Sequence, residues 1–508
     1  MSAWGAGPGR CSVNLLQTVA TNTVSLLVAQ AFNRFSGFLV AILLTRYLGT
    51  SGFGEYAFVC AYVGFFILIT DMGVDIHIIR EASCDLKASE DRAGNAIVLK
   101  AFLSLLAFAA ANLVAVLIGI RGNRLLLIAI SSSGMLLAPF TLYGAAFSAT
   151  LKLHYSAIFD ALGRAVLIGF VLAVVLLRGS LTGIFVALVL PGGFVALLTV
   201  VFARRLFRPR LALQGSVLWS ILGKSFPIAM GLFFTQILMR IDQVMLEALR
   251  GDHELGLYSV GVKCCEALNI LPAIVTASLF PLLAKTAREG EGGFSRIYSL
   301  GFRYLYLALF PLVMILFLYP GRILSLLFGD PFGPGGSALR ILCWSAPLFA
   351  MAHVCASVLI SMDRRRMMFL LALVPAVLNI VLNALLIPRQ DVLGGGNGAA
   401  LATLLSLAAC PPMLLIDRSL RPLARSFLGN SVKPALSVLP GMVCVFVFRM
   451  PLVAGIFCSV LLYAVAAIAL RAVDRSDLDR ARRIFRREAE EAAEAVSIEG
   501  RGESGKAL

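Results

Sequence analysis

The sequence predicts an all-α polytopic membrane protein with about 14 transmembrane helices, in which two six-helix bundles form a parallel pseudo-twofold repeat and two further helices follow. Three observations predict this fold class: the apolar composition, the number and length of the apolar runs, and the alternation of basic residues between loops. Hydrophobic residues make up 59% of the 508 residues and charged residues only 14%, which excludes a water-soluble globular protein of this length.

Apolar runs long enough to cross a membrane follow one another along the chain. The first half contains six of them, at 20–48, 53–79, 94–119, 124–149, 155–177 and 181–203. The second half contains six more, at 217–246, 255–284, 297–319, 338–362, 367–387 and 397–416. Two shorter runs, 432–448 and 452–470, complete the fourteen, so twelve or thirteen spans also fit the pattern.

Basic residues concentrate in alternate loops. The side that holds the N-terminus, the even-numbered connections and the C-terminal tail carries 28 of the 44 Lys and Arg residues, whereas the opposite side carries 9. Because positive residues are retained in cytoplasmic loops, we expect both termini to face the cytoplasm. Topology therefore explains most of the net charge of +16, and we expect no nucleic-acid partner.

An internal repeat relates the two halves through a constant shift of 202 residues. The shift lays TRYLGTSGFGEYAF (45–58) on EALRGDHELGLYSV (247–260), at the turn between an odd-numbered helix and the next. Three residue pairs coincide: Gly49 with Gly251, Gly54 with Gly256, and Tyr56 with Tyr258. An offset of six helices preserves the direction of each helix, so the pattern predicts a parallel repeat about an axis along the membrane normal.

The predicted domain organisation follows from the repeat and the charge runs. It consists of an N-terminal bundle (1–203), a basic cytoplasmic linker (204–216), a C-terminal bundle (217–416), two added helices (417–472) and a charged cytoplasmic tail (473–508).

Three stretches carry a family resemblance: LTRYLGTSGFGEYAF, the ITDMG of the second span followed by IIREAS, and DQVMLEALRGDHELGLYSV. They resemble the polysaccharide transporter (Wzx-like oligosaccharide flippase) family of the multidrug/oligosaccharidyl-lipid/polysaccharide exporter (MOP) superfamily. The resemblance implies a V-shaped pair of bundles that opens alternately to each side of the bacterial inner (plasma) membrane. It implies a glycan linked to undecaprenyl diphosphate as the substrate, with membrane lipids and polysaccharide polymerase machinery as further partners.

Charged residues inside the predicted spans are the candidate site, because a charge that faces lipid is costly. The cations are Arg34, Lys100, Arg164, Lys224, Arg240, Lys263 and Arg303, and the acids are Asp71, Asp75, Asp160, Asp242 and Glu266. Cations therefore exceed acids by two, which is the sign that suits a diphosphate. We predict that five of them line the substrate cavity: Arg34, Arg164, Arg240, Lys263 and Arg303.

Local ion pairs are the alternative for some of these residues. Asp160 with Arg164, and Lys263 with Glu266, have the spacing that places two side chains on one helix face, so a self-neutralised pair is the competing interpretation. Arg34 has no acid within four residues. It lines the cavity, pairs with an acid on another helix, for example Asp71 or Asp242, or extends along the helix to the membrane surface, which its depth disfavours.

The energy source is predicted to be an ion gradient. The fragment Gly223-Lys224-Ser225 has Leu218 where a phosphate-binding loop needs glycine, so we expect neither ATP nor a cofactor. Asp71 and Asp75, one turn apart, and Asp242 are the ion-coupling candidates, since neighbouring carboxylates favour proton binding. The alternative places Asp71 in a helix-end turn and pairs Asp75 with Arg80.

Other function classes fit less well. A polyprenyl-linked glycan enzyme needs acids or histidines gathered at one membrane face, whereas the loops here are short and the four histidines are scattered without metal-ligand spacing. We therefore expect no catalysis and no metal. A drug/cation antiporter should show an acidic cavity, and a lipid II flippase would share the diphosphate chemistry and differ only in the glycan. These two alternatives stay open.

Overall fold

The structure of the protein is a computed structural model that describes residues 8–85, 87, 89–150, 152–210, 212–276, 291–362 and 364–472. These residues are almost entirely helical, and no strand occurs among them. The charged tail, 473–508, lies outside the described residues, so the helix expected there is not addressed.

The first half contains six helices that cross the molecule. The long helix Pro8–Asp71 is divided at Gly49, whose φ of +67° interrupts the helical backbone, into α1 (8–48) and α2 (50–71). After a turn at Met72 and Gly73, α2 continues as Val74–Cys84. The remaining helices are α3 (Glu90–Leu117), α4 (Asn123–Ala149), α5 (Leu153–Leu176) and α6 (Leu181–Ala203).

The second half repeats this series. Its helices are α7 (Gly215–Arg250), α8 (Asp252–Leu268), α9 (Glu291–Leu318), α10 (Asp330–Leu342 and Ser345–Ile360), α11 (Arg365–Leu386) and α12 (Gly395–Ile416). The two parts of α10 are bent by 51° relative to each other. Two added helices follow, α13 (Arg421–Phe448) and α14 (Leu452–Ala469).

The predicted number of spans is confirmed. Among the described residues, 12 helices are long and apolar enough to cross a membrane, or 13 if the bent α10 pair is one span. The first of these, Ala31–Ser83, has 53 residues and contains the kink at Gly49, so it supplies two crossings. The expectation of a short thirteenth span is wrong, because α13 has 28 residues and begins 11 residues earlier than its apolar run.

Helix packing repeats at the offset of six helices. In the first half α1 packs on α5, α5 on α6, α6 on α4 and α4 on α3. The second half makes the corresponding contacts, α7 with α11, α11 with α12, α12 with α10 and α10 with α9. The exact domain boundaries given above stay a prediction.

The two halves meet at the glycines that the repeat aligned. Gly49 and Gly251 have φ values of +67° and +84°, which favour glycine. A Cβ atom on Gly54 would overlap the Asp252 carbonyl, and one on Gly256 would overlap the Thr50 carbonyl. Since the shift of 202 also relates Thr50 to Asp252, this contact between α2 and α8 is pseudo-symmetric. We call this end of the molecule the Gly49 end.

A second pair of contacts extends the interface into the molecule. Arg34 Nη1 lies 3.5 Å from the Glu266 carbonyl oxygen, and Gln236 Nε2 donates to the Gly64 carbonyl at 3.3 Å. The same shift relates Arg34 to Gln236 and Gly64 to Glu266. Arg34 lies 15 residues before Gly49, which corresponds to about 22 Å of helix. The halves are therefore in contact from the Gly49 end to the level of Arg34.

The opposite end of the molecule holds the linker between the halves. There the Arg208 amide donates to Glu90 Oε1 at 3.1 Å and the Gln214 amide donates to Asn95 Oδ1 at 2.8 Å. These bonds fix the linker to the start of α3. We call this the linker end.

Gly54→Ala and Gly256→Ala are each expected to destabilise the protein, by about 1–3 kcal/mol, because the added methyl group overlaps a backbone carbonyl that cannot move freely. Gly231→Ala on α7 is the matched control, since nothing lies within 4 Å of its Cβ position. The measurement is the apparent unfolding temperature in detergent. Equal temperatures for Gly256→Ala and Gly231→Ala would contradict the close crossing.

Candidate functional site

Three cations gather around one carboxylate where the halves meet. Glu266 of α8 pairs with Arg240 Nη2 of α7 at 3.1 Å and with Lys263 Nζ at 2.7 Å. Arg34 of α1 reaches the Glu266 backbone, as described above. These four side chains, the interface cluster, carry a surplus of two positive charges.

The interface cluster borders accessible space. The side chains of Arg240, Lys263 and Glu266 are 27%, 28% and 34% exposed, and Arg34 is exposed. A fully buried ion pair would instead be closed off from any ligand. The cluster can therefore make further contacts with an anion.

A cavity of about 870 Å³ lies within the first half. Helices α2 to α6 line it, mostly with apolar side chains. Its charged lining residues are Asp71, Asp75, Lys100, Asp160 and Arg164. Three carboxylates face two cations, so this N-half cavity has a formal charge of −1, opposite in sign to the interface cluster.

A buried lysine holds two of these carboxylates. Lys100 is 1% exposed, and its Nζ donates to Asp71 Oδ1 at 2.9 Å, to Asp75 Oδ1 at 2.6 Å and to the Thr141 hydroxyl at 2.9 Å. Asp71 also accepts hydrogen bonds from the Gly73 and Asp75 amides at 3.2 and 3.1 Å. The predicted helix-end turn is therefore present, and Asp75 pairs with Lys100. The side chain of Arg80, the partner proposed from the sequence, lies outside the described part.

One of the two local ion pairs predicted from the sequence is present. Lys263 and Glu266 pair as their spacing indicated, and Glu266 also supplies the partner that Arg240 needed. Asp160 and Arg164 interact electrostatically, but they lie beyond ion-pair distance. Arg164 Nε donates to Asn33 Oδ1 of α1 at 3.1 Å.

Two predicted site residues lie outside the N-half cavity, and one of them adjoins the interface cluster. Asp242, 3% exposed, accepts hydrogen bonds from the Tyr258 hydroxyl and from the Gln243 amide. It lines a cavity of about 60 Å³ in the second half, which Glu266 of the interface cluster also lines. Arg303 Nε donates to the Ala472 carbonyl at 3.0 Å, after the end of α14. The expectation that Arg303 lines the same cavity as Arg34 gains no support from this position.

The sequence analysis missed a charge network at the Gly49 end. Arg124 at the start of α4 pairs with Glu247, with Asp252 Oδ2 at 2.6 Å and with Glu55 Oε1 at 3.8 Å. Glu247 and Asp252 belong to the second half, so this Arg124 clamp joins the two halves. Glu55, Glu247 and Asp252 all lie in the repeated segments, whereas Arg124 lies outside them, in a predicted loop on the side with fewer basic residues. No metal-binding group of three or more His, Cys, Asp or Glu side chains occurs in the described part of the chain.

Lys100→Met is expected to lower the apparent unfolding temperature strongly, because removing one partner of a buried ion pair costs about 3–5 kcal/mol. Lys100→Met combined with Asp75→Asn should recover part of the loss, since Asp71 keeps its two backbone donors. Thermal unfolding of the purified single and double variants gives the comparison. A double variant no more stable than the single one would argue against this ion pair.

Arg124→Gln is expected to loosen the contact at the Gly49 end about two- to fivefold, because each accessible ion pair contributes about 0.2–1 kcal/mol. Thr50 Oγ1 and His253 Nδ1 lie 2.9 Å apart across the interface. The yield of thiol cross-linking between Thr50→Cys and His253→Cys therefore measures how often the two helix starts are in contact. The protein without these two cysteine substitutions is the negative control. Arg121→Gln is the control, since Arg121 is exposed. Equal yields for Arg124→Gln and Arg121→Gln would show that the clamp does not stabilise the contact at the Gly49 end.

Comparisons with known proteins place the chain in a family. The model of a family described as polysaccharide biosynthesis protein matches residues 19–287, and the MatE model matches residues 227–385. No sequence among the curated proteins matches the chain.

Among solved structures, the lipid II flippase MurJ in an inward closed conformation matches with a TM-score of 0.70 and 13% identity, over 87% of this chain and 98% of that one. An inward-facing multidrug resistance MATE family transporter of the MOP superfamily matches with a TM-score of 0.61 and 14% identity, over 77% and 96%. An outward-facing MATE family transporter of the MOP superfamily matches with a TM-score of 0.54 and 12% identity, over 82% and 94%. Since the first family model covers more than half of the sequence, the chain belongs to the polysaccharide biosynthesis protein family, and it has the fold of the MOP-superfamily transporters.

Proposed function

We propose that the protein is a flippase that moves an oligosaccharide linked to polyprenyl diphosphate across the bacterial inner membrane by alternating access. The observation that carries the proposal is the interface cluster, in which three cations gather around Glu266, two at its carboxylate and one at its backbone carbonyl. A diphosphate presents several anionic oxygens, and Arg and Lys side chains bind such oxygens through charge-assisted hydrogen bonds. The surplus of two positive charges suits this group.

The depth of the cluster supports a transport site. Arg34 lies 15 residues before Gly49, and Glu266 lies 15 residues after Gly251. Each separation corresponds to about 22 Å of helix, within a hydrocarbon layer of about 30 Å. Charges at such depth normally face a cavity, a partner or a pathway, because exposure to lipid is unfavourable. Partial exposure of Arg240 and Lys263 therefore favours a pathway between the halves.

The contacts at the Gly49 end favour a state that is closed to the outside. The positive-inside pattern assigns the linker end and both termini to the cytoplasm, so the glycine contacts and the Arg124 clamp close the outer side. The higher TM-score for the inward-facing MATE structure than for the outward-facing one, 0.61 against 0.54, supports this assignment.

Ion coupling is part of the proposal, and the three acids differ in their suitability. Lys100 pairs with both Asp71 and Asp75, so these two carboxylates share one buried counter-charge and are held in a fixed ion pair. Asp242 has no cation within ion-pair distance among the described residues, although it accepts hydrogen bonds from Tyr258 and Gln243. Among these three acids, Asp242 is the better candidate for an ion that binds during the cycle.

Two alternatives each have one observation in their favour. The fold match to the lipid II flippase has a TM-score of 0.70, and lipid II transport would use the same diphosphate chemistry. The three carboxylates of the N-half cavity favour a drug/cation antiporter. The interface cluster disfavours the antiporter, because it repels a cation at the junction of the halves.

Deletion of the gene is expected to cause lipid-linked oligosaccharide to accumulate on the cytoplasmic leaflet. At equal protein levels, Arg34→Ala should reduce export about tenfold or more, which corresponds to about 1.4 kcal/mol of lost binding, whereas Arg34→Lys should retain part of the activity because it keeps the charge. Arg121→Ala, an exposed arginine far from the cluster in sequence, is the matched control. Export by Arg34→Ala at the wild-type rate would show that Arg34 does not contribute to the transport site.

A further inference from the structure

We propose that the N-half cavity is the glycan subsite of a two-part site, and that it selects neutral or amino sugars over acidic ones. The inference rests on the proposed function, since it assumes that the interface cluster holds the diphosphate. It adds a location and a charge class for the sugars next to that diphosphate.

The cavity and the cluster lie close together, although the side chains of the cluster do not themselves line the cavity. Tyr56 and Cys60 of α2 line the cavity and also lie within electrostatic reach of Arg240 and Lys263. On the α1 side, Arg164 of the cavity donates to Asn33, the residue that precedes Arg34. A headgroup whose diphosphate contacts the cluster therefore has its first sugars at the mouth of the cavity.

The sizes of the two cavities assign the glycan to the first half. The N-half cavity of about 870 Å³ falls within the range of about 300–1,000 Å³ that is usual for small-molecule sites. The cavity beside Asp242 in the second half measures about 60 Å³, which is too small for a sugar. Of these two cavities in the described part of the chain, the N-half cavity is the one with room for a glycan.

Two side chains on α5 present complementary hydrogen-bonding groups to the cavity. Asp160 makes no hydrogen bond or ion pair with the described residues, so its carboxylate oxygens are available as acceptors. Arg164 uses Nε for Asn33 and interacts electrostatically with Asp160 beyond ion-pair distance, so its two Nη groups donate no hydrogen bond within the described part. A carboxylate and a guanidinium one turn apart match vicinal sugar hydroxyls, which both donate and accept. Phe140, 41% exposed, adds an aromatic face to the lining.

The charge of the cavity predicts its selectivity. With three carboxylates and two cations, the cavity repels a uronic acid or a phosphorylated sugar. A neutral sugar avoids this repulsion, and an amino sugar gains attraction. The two-part site thus separates the anionic carrier from a glycan that is not anionic.

Binding of defined carriers to the purified full-length protein tests the inference. The probes are undecaprenyl diphosphate, the same carrier with an N-acetylhexosamine disaccharide, and the same carrier with a disaccharide that contains glucuronic acid. We expect the neutral disaccharide to bind about tenfold more tightly than the bare carrier, and the acidic one more weakly than the neutral one. Asp160→Asn should raise the affinity for the acidic carrier relative to the neutral one.

A matched pair of substitutions on α6 locates the effect. Ala196 lines the cavity, whereas the adjacent Leu197 is 62% exposed and does not line it. Ala196→Trp should reduce the affinity for the neutral disaccharide carrier to that of the bare carrier, and Leu197→Trp should preserve the difference.

Two failures are distinguishable. If the bare carrier does not bind, or binds equally well to Arg34→Ala, the proposed function fails and the inference fails with it. If the bare carrier binds in an Arg34-dependent way, but Ala196→Trp leaves the preference for the neutral glycan unchanged, only the glycan subsite is overturned. Acidic and neutral glycans that bind equally would overturn the charge selectivity.

Discussion

The backbone contact between α2 and α8 is the constraint on which the arrangement of the halves depends. Gly54 meets the Asp252 carbonyl and Gly256 meets the Thr50 carbonyl, so two helix starts cross at a distance that a side chain would prevent. This crossing brings Asp252 and Glu247 within reach of Arg124. It also fixes the register in which α1 meets α8 about 22 Å further along, where Arg34 reaches Glu266.

The scaffold is pseudo-symmetric, but its charges are not. Subtracting 202 from Arg240, Lys263 and Glu266 gives Phe38, Ala61 and Gly64, and adding 202 to Arg34 gives Gln236. None of these counterparts is charged, so the interface cluster has no image in the other pair of helices. Asp242 likewise corresponds to Val40, which is buried. The two halves thus share one backbone arrangement, while the unrelated side chains provide one cationic region and one cavity of opposite charge.

The sequence predicts the features that depend on composition or on short spacing. Apolar runs predict the spans, Gly49 and Gly251 predict the turns, and the spacing of Lys263 and Glu266 predicts their ion pair. Side chains of such neighbours are close whatever the rest of the fold does. Asp160 and Arg164 show the limit of this reasoning. They have the same kind of spacing, but Arg164 Nε donates to Asn33 on α1 and the two charges stay beyond ion-pair distance.

Contacts between distant segments were beyond sequence reasoning. Lys100 is 25 and 29 residues from its two carboxylates, and Arg124 is 123 and 128 residues from Glu247 and Asp252. Which of several cations meets a given acid depends on how each helix is rotated about its axis, and apolar periodicity leaves that rotation undetermined where a helix is apolar on most faces. The repeat placed the paired glycines at corresponding turns of the two halves, but it did not indicate that these two turns meet.

The contact at the Gly49 end combines apolar packing with ionic contacts. Phe53 of α2 packs edge-on against Phe332 of the second half, with ring centroids 6.1 Å apart, and both side chains are buried. Burial of such rings is favourable by about 25 cal/mol for each Å² of apolar area. The Arg124 clamp beside them is partly exposed, and ion pairs that water can reach contribute only about 0–1 kcal/mol each. Apolar burial therefore supplies most of the stability of this contact, and the clamp favours one relative position of the two halves.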